Sequence, residues 1–128
     1  MAGSATVTVN SLPNVHIVSG GGRYCAGGTG EHVGLTGTDE SISYQLYNGA
    51  TAVGVALTGS GGSLDFGLHT AAGIYTVIAT NPGTGCFDTM AASATITVLP
   101  LPTAYTVTVD NYGNYCAADT GLHVRLAN

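Results

Sequence analysis

An internal repeat constrains the fold of this 128-residue chain more than any other feature. The segment MAGSATVTV at 1–9 recurs as MAASATITV at 90–98, and Leu12-Pro13 recurs at the same offset of 89 as Leu101-Pro102. The segment YCA at 24–26 with TGEHVGL at 29–35 recurs as YCA at 115–117 with TGLHVRL at 120–126, at an offset of 91. Two blocks in the same order predict a tandem array of units about 90 residues long. General similarity among β-rich segments is the less favoured explanation.

The repeat divides the chain into three parts. We expect residues 1–13 to be the last strand and linker of a preceding repeat. Residues 14–102 then form one complete repeat, and residues 103–128 are the opening strands of the next one.

Apolar and polar residues alternate with a period of two along most of the chain, which is typical of half-buried β-strands. The apolar members of these runs are Ala5, Val7, Val9, Ile42, Tyr44, Leu46, Leu64, Phe66, Leu68, Tyr75, Val77, Ala79, Ala94, Ile96 and Val98. Turn signals recur every ~8–12 residues, and Asn48-Gly49 predicts a type I′ hairpin. The sequence therefore predicts an all-β fold, an immunoglobulin-like antiparallel β-sandwich in a tandem repeat array. Tyr75, near the start of the penultimate strand, is either a tyrosine corner or an ordinary core tyrosine.

Three cysteines fit the repeat as parts of one disulfide pattern. Cys25 opens the complete repeat, Cys86 precedes its last strand, and Cys116 is the repeat copy of Cys25. We therefore predict a Cys25–Cys86 disulfide, with Cys116 pairing with a cysteine beyond the chain. Such a bridge persists in an oxidising compartment, so we expect an exported protein. Three unrelated buried thiols remain the alternative, and zinc is less favoured because no Cys-x-x-Cys pair is present.

The charge balance excludes two classes of partner. The chain has 2 basic and 7 acidic residues, and charged residues make up 7% of it. With two arginines and no lysine, it has no basic face for nucleic acid or for an anionic membrane surface. We expect no nucleic-acid partner and no membrane insertion, since no apolar run reaches the ~18 residues of a membrane helix.

Four ordered motifs together resemble a known repeat type. They are YCAGGTG at 24–30, ISYQLY at 42–47, AGIYTV at 72–77 and the block from Cys86 to Val98. They resemble the immunoglobulin-like repeats of large cell-surface and gliding-type adhesins of Bacteroidota, which are often exported by the type IX pathway. The resemblance implies a β-sandwich, the Cys25–Cys86 bridge, an extracellular or cell-surface location, and a role as stalk, fibre or adhesin. Asp88-Thr89-Met90 also matches a short O-glycosylation pattern of that phylum, which makes Thr89 a candidate for modification.

The sequence contains no pattern typical of an active site, and we expect no enzyme. The seven acidic residues are scattered apart from Asp39-Glu40 in a turn, and no nucleophile elbow or phosphate loop is present. His32 and its copy His123 are expected on the strand surface, as packing residues in preference to metal ligands. We expect no cofactor. A structural calcium at the oxygen-rich segment 110–114 is less favoured, because calcium normally takes about 6–8 oxygens including several carboxylates.

The favoured function is a structural one, as a link in an extracellular fibre or adhesin stalk. Its partners are neighbouring repeats or identical subunits. The strand formed by Ser4, Ala5, Thr6, Val7, Thr8 and Val9 is a candidate strand donor that pairs between subunits to build filaments. The alternative is a carbohydrate-binding module attached to a secreted enzyme, with surface glycans stacking on Tyr47 and Tyr112.

Overall fold

The described part of the chain contains eleven β-strands and no helix. A computed structural model describes residues 3–109 and 124–127. The strands are β1 (Val18–Gly20), β2 (Gly22–Cys25), β3 (Glu31–Leu35), β4 (Ser43–Asn48), β5 (Thr51–Thr58), β6 (Leu64–His69), β7 (Gly73–Thr80), β8 (Phe87–Thr89), β9 (Ala94–Leu99), β10 (Thr106–Val109) and β11 (Val124–Ala127). The predicted all-β fold is confirmed. No helix in these residues is long and apolar enough to cross a membrane.

The strands form two sheets and a separate hairpin. The small sheet has the order β1-β3-β6, and the large sheet has the order β2-β9-β7-β4-β5, with β8 also paired to β7. All pairs are antiparallel except β2 and β9, which run parallel. β10 and β11 pair with each other. An opening strand shared between the two sheets and a β9-β7-β4-β5 order fit an immunoglobulin-like sandwich.

The core lies between the small and large sheets and follows the predicted alternation. Its buried members are Val18, Val33, Leu35, Ile42, Tyr44, Leu46, Tyr75, Val77, Ala79, Met90, Ala94 and Ile96. β7 shows the period most clearly, because Tyr75, Val77 and Ala79 are buried while the residues between them are half-buried. Burying one face of each sheet against the other removes this apolar area from water, which is the main stabilising contribution.

Glycines at 20–22 move the opening strand from one sheet to the other. Gly20 and Gly21 have φ values of 94° and 78°, which L side chains rarely adopt. A Cβ on Gly20 would collide with the backbone carbonyl of His32. The chain can therefore leave β3 at Gly20 and join β9 at Gly22. The sequence analysis did not predict a change of sheet at these glycines.

The predicted hairpin after β4 is present, with a different turn. Asn48 pairs with Thr51, so Gly49 and Ala50 form a two-residue loop. Gly49 has a φ of 61°, and Ala50 is not among the residues with positive φ. A positive φ at the first central position alone is typical of type II′, so the predicted type I′ turn is wrong.

A bulge in β6 overturns the predicted face of one residue. Between the pairs His32–Leu68 and Gly34–Asp65 the register shifts by one residue. Gly67 adopts a φ of 91° at this point, and its N–H donates a 2.7 Å hydrogen bond to the Asp65 carboxylate. The bulge turns Leu68 outward, where it is 50% exposed, although simple alternation predicts it inside.

Tyr75 adopts the tyrosine-corner arrangement. Its ring is 1% exposed, and its hydroxyl donates a 2.7 Å hydrogen bond to the carbonyl oxygen of Ala71, four residues upstream. This bond anchors the turn before β7, the position at which immunoglobulin-like domains carry such a tyrosine. Of the two alternatives left open by the sequence, the structure supports the corner.

Candidate functional site

The linkers enter and leave the sandwich at opposite ends. Ser11–Asn14 lead into the sandwich beside Asn81, just past the end of β7. β9 leaves beyond the start of β7, because Ile96 pairs with Gly73 and Leu99 lies three residues further on. We call these the entry end and the exit end. The eight residues of β7, at about 3.3 Å each, separate them by roughly 25 Å.

Hydrogen bonds attach the incoming linker to the entry end. The backbone N–H of Asn14 donates to the Asp39 carboxylate at 3.2 Å, and Nε2 of His16 lies 3.2 Å from the other carboxylate oxygen. Pro13 is buried beside a cleft of about 310 Å³ that Leu12 also lines. Desolvation raises the pKa of Asp39, but the hydrogen bonds from Asn14 and His16 outweigh it and leave the pKa below its usual value.

The exit end is held by the parallel pairing of β2 with β9. Cys25 lies opposite Leu99, and the N–H of Ala26 donates a 2.8 Å hydrogen bond to the carbonyl oxygen of Leu99. The hydroxyl of Tyr24 donates to the carbonyl oxygen of Thr70, which ties β2 to the turn before β7. The outgoing chain is therefore fixed as far as Leu99.

The N-terminal flank exposes apolar residues whose repeat copies are buried. Val7 and Val9 are 89% and 91% exposed, and residues 3–16 belong to no strand. At the offset of 89, Val7 corresponds to Ile96, which is 1% exposed because its side chain packs in the hydrophobic core. The predicted strand donor, residues 4–9, therefore has the composition of a core strand and no partner within the described residues.

The hairpin at the other flank reproduces the register of the small sheet. Val107 pairs with Leu126, and Val18 pairs with Leu35. Val107 is the counterpart of Val18 at the offset of 89, and Leu126 is the counterpart of Leu35 at the offset of 91. Val107 and Leu126 are 66% and 65% exposed, whereas Val18 and Leu35 are 5% and 1% exposed. The hairpin thus presents an apolar face that the complete repeat covers with its large sheet.

The predicted disulfide between Cys25 and Cys86 is not formed, and both residues are free thiols. Cys25 lies opposite Leu99 at the exit end. The carbonyl of Cys86 accepts a 2.8 Å hydrogen bond from the N–H of Asn81 at the entry end. About ten residue steps along the sheet, roughly 30 Å, separate the two residues. Disulfide-bonded Cα atoms lie within about 7 Å, so this arrangement does not fit a bridge inside one repeat.

The other predicted site residues do not come together. Tyr47 is half-buried on the outer face of β4, opposite Thr76. Thr89 is exposed on β8 next to Asp88, whose carboxylate accepts the N–H of Thr89 at 2.8 Å. Tyr112, Cys116, His123 and the calcium candidate 110–114 lie outside the described residues, and the two tyrosines are therefore not seen as a pair.

His32 and Asp65 form an exposed pair on the small sheet. Nδ1 of His32 lies 2.9 Å from a carboxylate oxygen of Asp65, and both side chains are about 60% exposed. The hydrogen bond from the Gly67 N–H and then that from His32 lower the pKa of Asp65. Within residues 3–109 and 124–127, no three or more His, Cys, Asp or Glu side chains meet in a group fit for a metal.

The sequence analysis missed Phe87 at the entry end. Its side chain is 64% exposed although it is one of only two phenylalanines in the chain. It directly follows Cys86 and pairs with Thr80 at the end of β7. An aromatic residue next to a cysteine in a polar loop was the available signal, because exposed aromatic residues often mark contact surfaces.

A comparison of the chain with protein-family models, curated proteins and solved structures gave no match.

Proposed function

We propose that this chain is a segment of an extracellular rod of immunoglobulin-like repeats, which serves as a fibre or adhesin stalk. The observation that supports the proposal concerns the two flanks, residues 1–13 and 103–128. Both match parts of the complete repeat, and both expose apolar residues whose copies are buried there. In an array, neighbouring strands cover these residues and each repeat gains a closed core.

The positions of the linkers support an extended shape for such an array. The chain enters at one end of β7 and leaves at the other. Leu99-Pro100-Leu101-Pro102 follows β9, and its two prolines fix φ and remove backbone donors. Successive repeats then add along one axis, and the length grows with the number of repeats.

A neighbouring repeat in the same chain is the favoured partner for residues 4–9. Asn14 and Pro13 are held at the entry end, which keeps the preceding segment close to that end. Strand addition between separate subunits is the other mode. If residues 4–9 pair within one chain, deleting residues 1–10 leaves assembly intact. If they pair between subunits, the deletion abolishes filaments. Electron microscopy of the 128-residue chain and the shortened chain distinguishes the two modes.

A two-repeat chain tests the rod directly. Residues 1–102 joined to residues 14–128 duplicate the complete repeat and preserve the offset of 89. We expect small-angle X-ray scattering to give a maximum dimension greater than that of the 128-residue chain by about 35 Å, which is the roughly 25 Å between the entry and exit ends plus a linker of about three residues. A compact two-repeat particle, with the two sandwiches side by side, would contradict the proposal.

A further inference from the structure

Cys25 and Cys86 lie beside equivalent backbone positions at opposite ends of the sandwich. Cys25 is opposite Leu99 at the exit end. The sulfur of Cys86 lies 4.0 Å from the carbonyl oxygen of Asn10 at the entry end. Asn10 is the counterpart of Leu99 at the repeat offset of 89. Cys25 therefore lies beside the last strand residue of its own repeat, and Cys86 lies beside the corresponding residue of the preceding repeat.

The repeat relationship places these two cysteines together across a junction. In the complete repeat, the N–H of Ala26 donates to the Leu99 carbonyl at 2.8 Å. If the preceding repeat holds Asn10 in the same way, its Ala26 counterpart donates to the Asn10 carbonyl. The Cα of its Cys25 counterpart then lies within about 5 Å of that oxygen, by standard backbone dimensions. The sulfur of Cys86 is on the same carbonyl oxygen, 4.0 Å away.

We propose that consecutive repeats are joined by a disulfide between Cys86 of one repeat and the Cys25 counterpart of the repeat before it. The inference rests on the proposed function, since it needs a preceding repeat that is folded like this one. Both cysteines then lie around one carbonyl group, a placement that allows the roughly 4.4–6.8 Å between Cα atoms that a disulfide requires. Cys25 is exposed and Cys86 is half-buried, so the bond displaces no core residue.

The chemistry of bond formation is ordinary thiol–disulfide exchange. Each cysteine loses its thiol proton, and the two sulfurs form one S–S bond. A disulfide oxidant, either glutathione disulfide or an oxidised dithiol oxidoreductase, accepts the two electrons and two protons. Its own S–S bond breaks, and it leaves as two thiols.

The bond restrains the linker between repeats. It connects the exit end of one sandwich to the entry end of the next, across the short segment Ser11–Pro13. Every repeat uses its two cysteines at two different junctions. A segment that includes only part of a repeat, such as this chain with its three cysteines, can then have an odd number of cysteines although every thiol inside the array is paired.

Cysteine-pair variants of the two-repeat chain test this inference. The junction variant keeps only Cys25 of the first copy and Cys86 of the second, with every other cysteine changed to Ser. One control keeps Cys25 and Cys86 of the same copy, and another keeps Cys86 of the first copy and Cys25 of the second. All three carry the same number of thiols and the same substitutions in kind.

We expect the junction variant to lose its free thiols in a glutathione disulfide buffer and to yield a peptide containing both cysteines after proteolysis. Its intrachain bond should form at least about ten-fold faster than in either control, because only its two thiols start at a high effective concentration. Bond formation in the same-copy control alone, or equal rates in all three variants, would overturn the inference.

Scattering of the reduced two-repeat chain separates this failure from failure of the proposed function. If the two-repeat chain is elongated but the junction variant keeps its free thiols, the proposed rod stands and the disulfide is rejected. A compact particle rejects the rod, and the inference fails with it.

Discussion

At the scale of single residues, three tyrosine hydroxyls connect the sheets to the loops that flank them. Tyr75 donates to Ala71, Tyr24 donates to Thr70, and Tyr44 accepts the N–H of Asp39. Tyr44 and Tyr75 are buried, so their hydroxyls depend on these partners. The backbone of the loops at both ends of the sandwich is thereby held by side chains from its interior.

Tyr75→Phe should lower the free energy of unfolding by about 0.5–1.5 kcal/mol, because it removes the hydrogen bond to Ala71 and leaves the ring in place. Urea denaturation measures the change. Tyr47→Phe is the matched control on the half-buried outer face of β4, and we expect a change within about 0.5 kcal/mol there. Equal losses in both variants would show that the corner does not stabilise the fold.

The fold should lose stability in acid through Asp65. Its pKa is lowered in the folded state, mainly by the Gly67 N–H and then by His32. The stabilisation is therefore complete above the unfolded-state pKa of about 3.9 and is lost as the pH falls through the lower folded pKa. Urea midpoints at pH 7 and pH 3 should differ less for Asp65→Asn than for the unchanged chain. His32→Gln should keep most of the difference, and an Asp65→Asn protein with undiminished acid sensitivity would contradict the assignment.

At the scale of strands, alternation predicted the core of β4, β7 and β9, and it failed where a glycine interrupts the period. Tyr44, Val77 and Ile96 are buried as predicted. Leu68 is not, because the bulge at Gly67 shifts the register by one residue. A period of two contains no information about where an extra residue is inserted. The opening strand was likewise not predicted to change sheets at Gly20.

Gly67→Ala should destabilise the fold by roughly 1–2 kcal/mol, because its φ of 91° is costly for any residue with a Cβ. No heavy atom lies within 4 Å of a Cβ built at Gly67, so the cost reports the backbone alone. Gly62 has equally open surroundings and no unfavourable φ, and Gly62→Ala is therefore the control. Thermal unfolding of both variants tests the prediction, and similar melting temperatures would argue against a strained bulge.

At the scale of the whole molecule, the sequence predicted which cysteines belong to the pattern but not which ends of the sandwich they occupy. Chain order suggested that Cys25 and Cys86 enclose one repeat. The parallel pairing of β2 with β9 instead carries Cys25 to the exit end, while Cys86 lies at the entry end beside Asn10. Only the three-dimensional arrangement of the strands contains this information. Each strand carries the chain from one end of the sandwich to the other, so the order of residues along the chain does not show at which end a cysteine lies.

A substitution in the core should cost far more than the corresponding substitution in the N-terminal flank. Ile96→Ala should lower the free energy of unfolding of the 128-residue chain by about 2–5 kcal/mol, because the side chain is 1% exposed in the core. Val7→Ala, its counterpart at the offset of 89, should change it by less than about 0.5 kcal/mol because Val7 is 89% exposed. Chemical denaturation of the two variants measures both values. A large loss on Val7→Ala would place residues 4–9 in the core of this repeat and not of a neighbour.

The parallel alignment of β2 and β9 determines how the molecule responds when it is pulled from its two linkers. A load applied through residue 13 draws β2 one way, and a load applied through residue 102 draws β9 the other way. The rungs between Gly22–Cys25 and Ile96–Leu99 lie across that direction, so they are loaded in shear and must yield together. An antiparallel pair joined at one end would instead unzip one rung at a time. A surface tether built from this domain would therefore bear tension where β2 meets β9.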